Sequence, residues 1–155
     1  MDIKTKVTLS VFLIMIGGYF VSRSKSIDAM ARTMWGEARG EGVEGMRAVG
    51  HVINNRASIG GWWGNTILEV VFKPWQFSAW NKNDPNLELM NQVDETDPVF
   101  AVAKQLATNI VDGVDQEDPT GGATHYHTTA VSPTWSNTGT VTHQHGNHIF
   151  YTGVA

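Results

Sequence analysis

The stretch MARTMWGEARGEGVEGMRAVGHVINNR, residues 30 to 56, does most to constrain what this chain can fold into. Upstream, Ile27, Met30, Ala31 and Met34 recur at helical spacing, and Ser26 precedes them in the position of a helix cap. Downstream, Val43, Met46, Ala48, Val49, Val52 and Ile53 form a second apolar stripe of the same period. Between the two lie Gly36, Gly40 and Gly42, residues that end or fray a helix. The pattern predicts two helices with a break between them, and it places Glu37 and Glu41, four residues apart, at that break.

Further along, GGWWGN reads as a turn and NTILEVVF as a short helix with Asn65 as its cap. KPWQFSAWNKNDPN reads as an aromatic loop broken by Pro74 and Pro85. DPVFAVAKQLATNIVDG carries a full set of helix signals: Asp97 at the N-cap, Pro98 in the first turn and Gly113 after the end. The acidic DGVDQEDPTGG, with Asp112, Asp115, Glu117 and Asp118, reads as a solvated loop. The tail changes character. ATHYHTTAV and HIFYTGV alternate and are rich in Thr, Tyr, Val and His, so they read as short strands. Helices first and a small sheet last give an α+β fold. With 155 residues and no internal repeat, one domain from residue 26 to 155 is expected, and a monomer.

Residues 1–25 differ from the rest. Lys4 and Lys6 precede an apolar run from Val7 to Val21, and Arg23 and Lys25 follow it. Fifteen helical residues reach only ~22 Å, short of a ~30 Å hydrocarbon core. Snorkelling basic side chains can close that gap. A cleaved signal peptide, a permanent anchor and a weak signal-anchor that later lets go are the competing readings. No small-residue cleavage site follows Val21, which favours an uncleaved segment over residues 7–22, with the domain exported. Composition narrows the rest. The net charge of −4 has no basic run behind it, so no nucleic-acid partner is expected. The absence of cysteine excludes disulfides, thiolate chemistry and Cys-type zinc sites. Six tryptophans, several in loops, suit a groove for flat amphipathic ligands such as sugar rings.

Glu37 falls at the C-terminal end of the first predicted helix, where the helix dipole disfavours a carboxylate. A solvated surface glutamate is one reading. An acid kept protonated for cleaving a glycosidic bond is the other. Histidines cluster late: His125, His127, His143, His145 and His148. On a strand His125 and His127 share one side and Tyr126 faces the other. Two histidines so spaced plus a third suit zinc, or they hydrogen-bond sugar hydroxyls and acetamido carbonyls on a groove wall.

The residues GEARGE (36–41), Glu44 and Gly45, then Asn55 and Arg56, resemble the opening signature of the SleB/CwlJ family of cell-wall hydrolases. KPWQFSAW with Gln76, Phe77 and Ser78, then GATHYH, Trp135 and GNHIF, follow in the family's order, so the resemblance covers residues 27 to 151. It implies a lysozyme-like α+β fold, a mostly helical lobe with a small C-terminal antiparallel sheet, acting on peptidoglycan. It implies that Glu37 is the catalytic acid and then base of a lytic transglycosylase, cutting between N-acetylmuramic acid and N-acetylglucosamine to give 1,6-anhydro products. A hydrolytic muramidase would need a second carboxylate, about 5–5.5 Å away for retention or about 6.5–9.5 Å for inversion. Glu41 is the candidate nearest in sequence, and it is assigned a hydrogen-bonding role instead. Trp75, Gln76, Ser78, Trp80, His125, Tyr126 and His127 are the candidate substrate contacts. Phe77 and Trp35 are expected in the core, and no metal or cofactor is expected. A zinc-dependent amidase or peptidase built on the histidines, and a non-catalytic wall-binding module, are the alternatives. The N-terminal segment resembles that of signal-anchor-release endolysins, which puts the expected site of action at the inner membrane and then the periplasm. A bacterial envelope-remodelling enzyme is the alternative setting.

Overall fold

The computed structural model describes residues 3–154. Five helices form one lobe: α1 (Ile3–Ala38), α2 (Gly42–Ile59), α3 (Ile67–Phe72), α4 (Asn86–Gln92) and α5 (Pro98–Val111). Three strands follow: β1 (His125–Thr128), β2 (Thr140–His145) and β3 (His148–Thr152). They make an antiparallel sheet in the order β1–β3–β2, with a register shift between Val141 and His143. The architecture is α+β, a helical lobe with a small C-terminal sheet.

The first helix does not begin at Ser26. It runs unbroken through that residue, because no proline interrupts it and Gly17 and Gly18 sit inside it without ending it. Its two halves differ. From Ile27 onward its apolar side is buried, with Met30, Ala31 and Met34 fully enclosed. Before that, Leu13, Ile14, Met15, Tyr19, Phe20 and Val21 are exposed. Arg23 fixes the junction, its Nε 2.7 Å from Asp112 Oδ1 just past the end of α5. Among the described residues no helix is long and apolar enough to cross a membrane.

The break between α1 and α2 is one 3-10 turn, Arg39–Glu41, followed by Gly42 at φ 74°. That left-handed backbone is one glycine adopts freely, and it starts α2 in a new direction. The stripe of α2 packs as its spacing predicts, except that Val43 is exposed. The helices enclose one core, around Met30, Met34, Val49, Ile53, Phe77 and Phe100. A smaller one, Ala48, Val52, Ala123 and Phe150, joins α2 to the sheet. Tyr126 packs against both.

Other local expectations need correction. The cap of α3 is Thr66, whose hydroxyl accepts from the Glu69 N–H, while Asn65 Oδ1 accepts from Gly61 N. Helix α4 and strand β2 carry too weak a pattern to be read in advance. The cap of α5 is Asp97, as its sequence signals predict, accepting from Val99 and Phe100 N–H groups at 2.9 Å. The acidic loop is not merely solvated. Asp115 takes both ends of the Arg47 guanidinium at 2.7 and 2.8 Å, and Asp118 accepts from Asn55, Thr120 and Gly122. These bonds lash the loop to α2.

Candidate active site

Glu37 is the next-to-last residue of α1 and is half-buried. Three donors from two other parts of the chain converge on its carboxylate. The Ala79 N–H reaches Oε1 at 2.9 Å, and Ser78 Oγ lies 3.4 Å from the same oxygen. The Tyr126 hydroxyl donates to Oε2 at 2.9 Å. The site therefore joins a helix end, the aromatic loop and β1.

Gly36 explains how the loop comes so close. A Cβ there would run into the Met90 side chain and lie 3.1 Å from that of Ala79. The missing side chain lets the Ala79 segment pack directly on α1, which brings its N–H to Glu37. The role expected for Gly36, ending the helix, belongs instead to the turn after Ala38. Arg39 does not pair with either glutamate. It donates to the carbonyls of Trp35 and Gly36 at 3.3 Å and to Asn86 Oδ1 at 2.7 Å, with its guanidinium 4.3 Å from the centre of the Trp35 ring. A cation on the last carbonyls is the favoured partner for a helix C-terminus.

Glu41 faces another way. Its Oε2 accepts from the Asn147 N–H at 2.9 Å and its Oε1 from Asn147 Nδ2 at 3.1 Å. The Asn147 backbone N–H above all, and then its side chain, hold this carboxyl below the usual carboxylate range. His145 Nε2 also lies 3.0 Å from the Glu41 carbonyl oxygen. Glu41 thus ties the β2–β3 hairpin to the turn after α1. Both Glu41 oxygens are committed to Asn147.

Behind Glu37 is a buried cation. Arg56, 5% exposed, sits between the Trp63 and Phe77 rings at 4.4 and 5.0 Å, and its Nε donates to the Thr124 carbonyl at 2.7 Å. Burial draws its pKa down to about 10, against the opposing pull of Tyr126 and Glu37, so it stays charged at neutral pH. Tyr126 is pushed well above its ordinary value, by burial first and by the Glu37 charge second. Its phenol therefore stays protonated and keeps donating.

The other candidates distribute around two clefts. Trp75 and Gln76 line a cleft of about 300 Å³ together with Arg56, His125, Tyr126 and Trp135. Trp75 also lines a larger cleft of about 770 Å³ with Phe77 and Trp80. Trp75 is 84% exposed and holds φ 69°, the one non-glycine residue in the left-handed region among the described residues. Strain of this kind costs about 1–3 kcal/mol and tends to gather at functional sites. Trp80 is half-buried, its Nε1 donating to the buried Thr33 at 2.9 Å and its ring against Phe72, so it belongs as much to the core as to the groove. His125 lies between Trp63, which it meets edge-on, and Trp135, which it meets at a tilt, and burial, then the Arg56 charge, lowers its pKa to about 4. His127 does not line this cleft. Its Nε2 meets the Tyr151 hydroxyl at 2.8 Å and its Nδ1 the Thr128 carbonyl at 2.8 Å. His125 and His127 do share one side of β1, both against Trp135. Among the described residues no three His, Asp or Glu side chains converge as a metal site would need. Phe77, 2% exposed, and Trp35, 7% exposed, are in the core. Nothing in the sequence marks Arg56 as a functional group. It is a lone basic residue closing an otherwise apolar helix face.

Fold and site together define a class: an α+β domain that presents one polar-held glutamate at a helix end, beside an aromatic cleft and a small sheet. The chain belongs to the family of SleB/CwlJ-type cell-wall hydrolases, the Cell Wall Hydrolase family model matching residues 40–151. It is 33% identical over 126 residues to a spore cortex-lytic enzyme of Oceanobacillus iheyensis, a match covering 80% of this chain and 40% of that protein. The chain thus spans less than half the length of that relative. Two solved structures are similar. The catalytic domain of Bacillus cereus SleB superposes with a TM-score of 0.66 at 29% identity, over 83% of this chain and 91% of that one. The catalytic domain of the germination-specific lytic transglycosylase SleB of Bacillus anthracis gives 0.63 at 29% identity, over 82% and 93%.

Proposed function

We propose that this protein is a lytic transglycosylase and that Glu37 is its acid and then its base. Glu37 gives its proton to the oxygen joining N-acetylmuramic acid to N-acetylglucosamine. The C1–O bond breaks and N-acetylglucosamine leaves with a free 4-hydroxyl. The Glu37 carboxylate then takes the proton of the muramic 6-hydroxyl, whose oxygen closes on C1 to give the 1,6-anhydro ring. No water is consumed and one carboxylate suffices. The observation that carries this reading is the set of donors on Glu37. The Ala79 N–H and the Tyr126 hydroxyl are aimed at the charge that appears when the proton leaves. The engagement of Glu41 by Asn147 favours this route over a muramidase with two carboxylates.

The test is a pair of variants. Glu37→Gln keeps shape but has no transferable proton, so release of muropeptides from purified sacculi should fall about 10²–10⁴-fold. Glu41→Gln should fall far less. Wild-type products should be one water lighter than reducing-end muropeptides. Near-normal lysis by Glu37→Gln, or reducing-end products, would each overturn the assignment.

The exposed apolar residues of α1 from Leu13 to Val21 support a tether at the membrane through residues 7–22. Fractionation of cells expressing the full chain should recover it uncleaved in the membrane and periplasm. A chain starting near residue 24 would show a cleaved signal peptide instead.

A further inference from the structure

A third cleft, of about 530 Å³, lies where α1 enters the domain, and Glu37 is not part of its wall. Only Phe72 and Trp80 are common to it and to the larger aromatic cleft. Its volume is in the range of small-ligand sites. Lys25, Asp28 and Arg32 of α1 and Lys104 of α5 make its charged wall, and Leu68, Phe72 and Trp80 its apolar one. Three cations thus face one carboxylate, in a chain whose net charge is −4. The cations are not equally occupied. Arg32 is engaged at every nitrogen, by Asp28 and by the carbonyls of Met90 and Val93. Lys104 Nζ gives one bond, to Asp28 Oδ1 at 2.9 Å, and has two more N–H groups to offer. Lys25 is exposed, and so is the Phe72 ring. The ligand that fits carries an anion on an apolar body.

Val21, the last exposed apolar residue of the α1 stretch, precedes Lys25 by one helical turn, ~6 Å along the axis. The headgroup layer on each side of a bilayer is about 5–7 Å deep, half the difference between the whole bilayer and its hydrocarbon core. With residues 7–22 in the hydrocarbon, Lys25 stands among phosphates and the cleft opens beside it. We propose that this cleft seats an anionic phospholipid of the membrane that holds α1, with the phosphate between Lys25 and Lys104 and the glycerol end on Leu68 and Phe72. Inorganic phosphate would satisfy the lysines and leave the phenyl ring in water. A zwitterionic lipid brings an ammonium that offsets its own phosphate. The inference rests on the tether reading of residues 7–22, which brings this end of the domain to the headgroups.

The experiment measures binding of the full chain to vesicles of phosphatidylcholine, alone or mixed with phosphatidylglycerol, at one ionic strength. A lysine held at an anionic surface strengthens binding about fivefold, so Lys25 and Lys104 together give about 25-fold. The wild type should bind neutral vesicles through α1 and anionic ones at least about 25-fold more tightly. Lys25→Gln with Lys104→Gln should lose about 25-fold on anionic vesicles and nothing on neutral ones. Lys73→Gln with Lys82→Gln removes the same charge outside this cleft and should lose less than about fivefold. A gain that is missing from the wild type, kept by the first double variant, or lost equally by the second overturns the proposal. Excess glycerol phosphate at matched ionic strength should leave the gain in place. Displacement by it would show a site for any phosphate and overturn the lipid assignment. Should the first double variant fail to fold by circular dichroism, Lys25→Gln alone should lose about fivefold, and an undiminished gain overturns the seat. Binding that requires phosphatidylglycerol would sink the tether and leave the seat. Neutral binding without the gain would do the reverse.

Discussion

Replacing Tyr126 by phenylalanine removes one oxygen atom and leaves the ring. That ring packs against Phe150 at 5.5 Å and His148 at 5.1 Å, contacts phenylalanine can keep. What is lost is the hydroxyl that donates to Glu37 Oε2 at 2.9 Å. In the proposed reaction Glu37 becomes a carboxylate as its proton moves to the glycosidic oxygen. A hydrogen bond to a charged group contributes about 1.5–3 kcal/mol. If roughly half of the charge has formed in the transition state, about 0.8–1.5 kcal/mol of its stabilisation goes, and the rate falls about 4–12-fold. With the charge fully formed the loss reaches about 100-fold. Stability should change less. Loss of one typical hydrogen bond, about 1 kcal/mol, lowers Tm by about 2–4 °C in a domain of this size. The assay is the initial rate of muropeptide release from purified sacculi, with thermal melts of both proteins. A rate within twofold of wild type in a normally folded Tyr126→Phe protein would refute the argument that the phenol supports the developing charge.

Asp115→Asn should weaken the fold by about 1–3 kcal/mol, since it breaks a partly buried bidentate pair with Arg47. Arg47 above all holds the Asp115 carboxyl below the usual range. A depressed folded-state value means stability that is present above the ordinary carboxylate pKa and lost as pH falls through the folded one. Urea titrations at pH 7 and pH 3 should show the variant's deficit at the first and a smaller one at the second. His125 should titrate near pH 4 by NMR of its ring proton, not near 6.5. Because the unfolded chain takes up that proton first, this residue makes the fold less stable as pH drops from about 6.5 to about 4. A His125 signal moving near 6.5 would contradict its burial beside Arg56. Treatment with a chelator should leave lysis unchanged, since His125 and His127 are engaged by Thr124, Tyr151 and the Thr128 carbonyl. Loss of activity with rescue by zinc would make them ligands.

The chain's own pattern determined the α+β class, the helix that Asp97 caps, the stripe on α2 and the position of Glu37 at a helix end. These are local matters, set by apolar spacing, capping side chains and glycine, and they can be read within ten or so residues. Where the pattern is weak, as in α4 and β2, or where a helix continues past a plausible cap, as at Ser26, local spacing does not mark the element's true bounds. Only the tertiary structure decided what surrounds the two glutamates. Ala79, Tyr126 and Asn147 lie 42, 89 and 106 residues from their carboxylate partners. No spacing rule reaches across such distances. Glu37 and Glu41 are alike in sequence, each preceded by glycine. They differ because Gly36 lets one loop pack against the first, while the β2–β3 hairpin folds over to bond the second. Arg56 is the sharpest case. In sequence it closes a helix as a surface residue would, and folding puts it 5% exposed between two aromatic rings, where its charge bears on the acid.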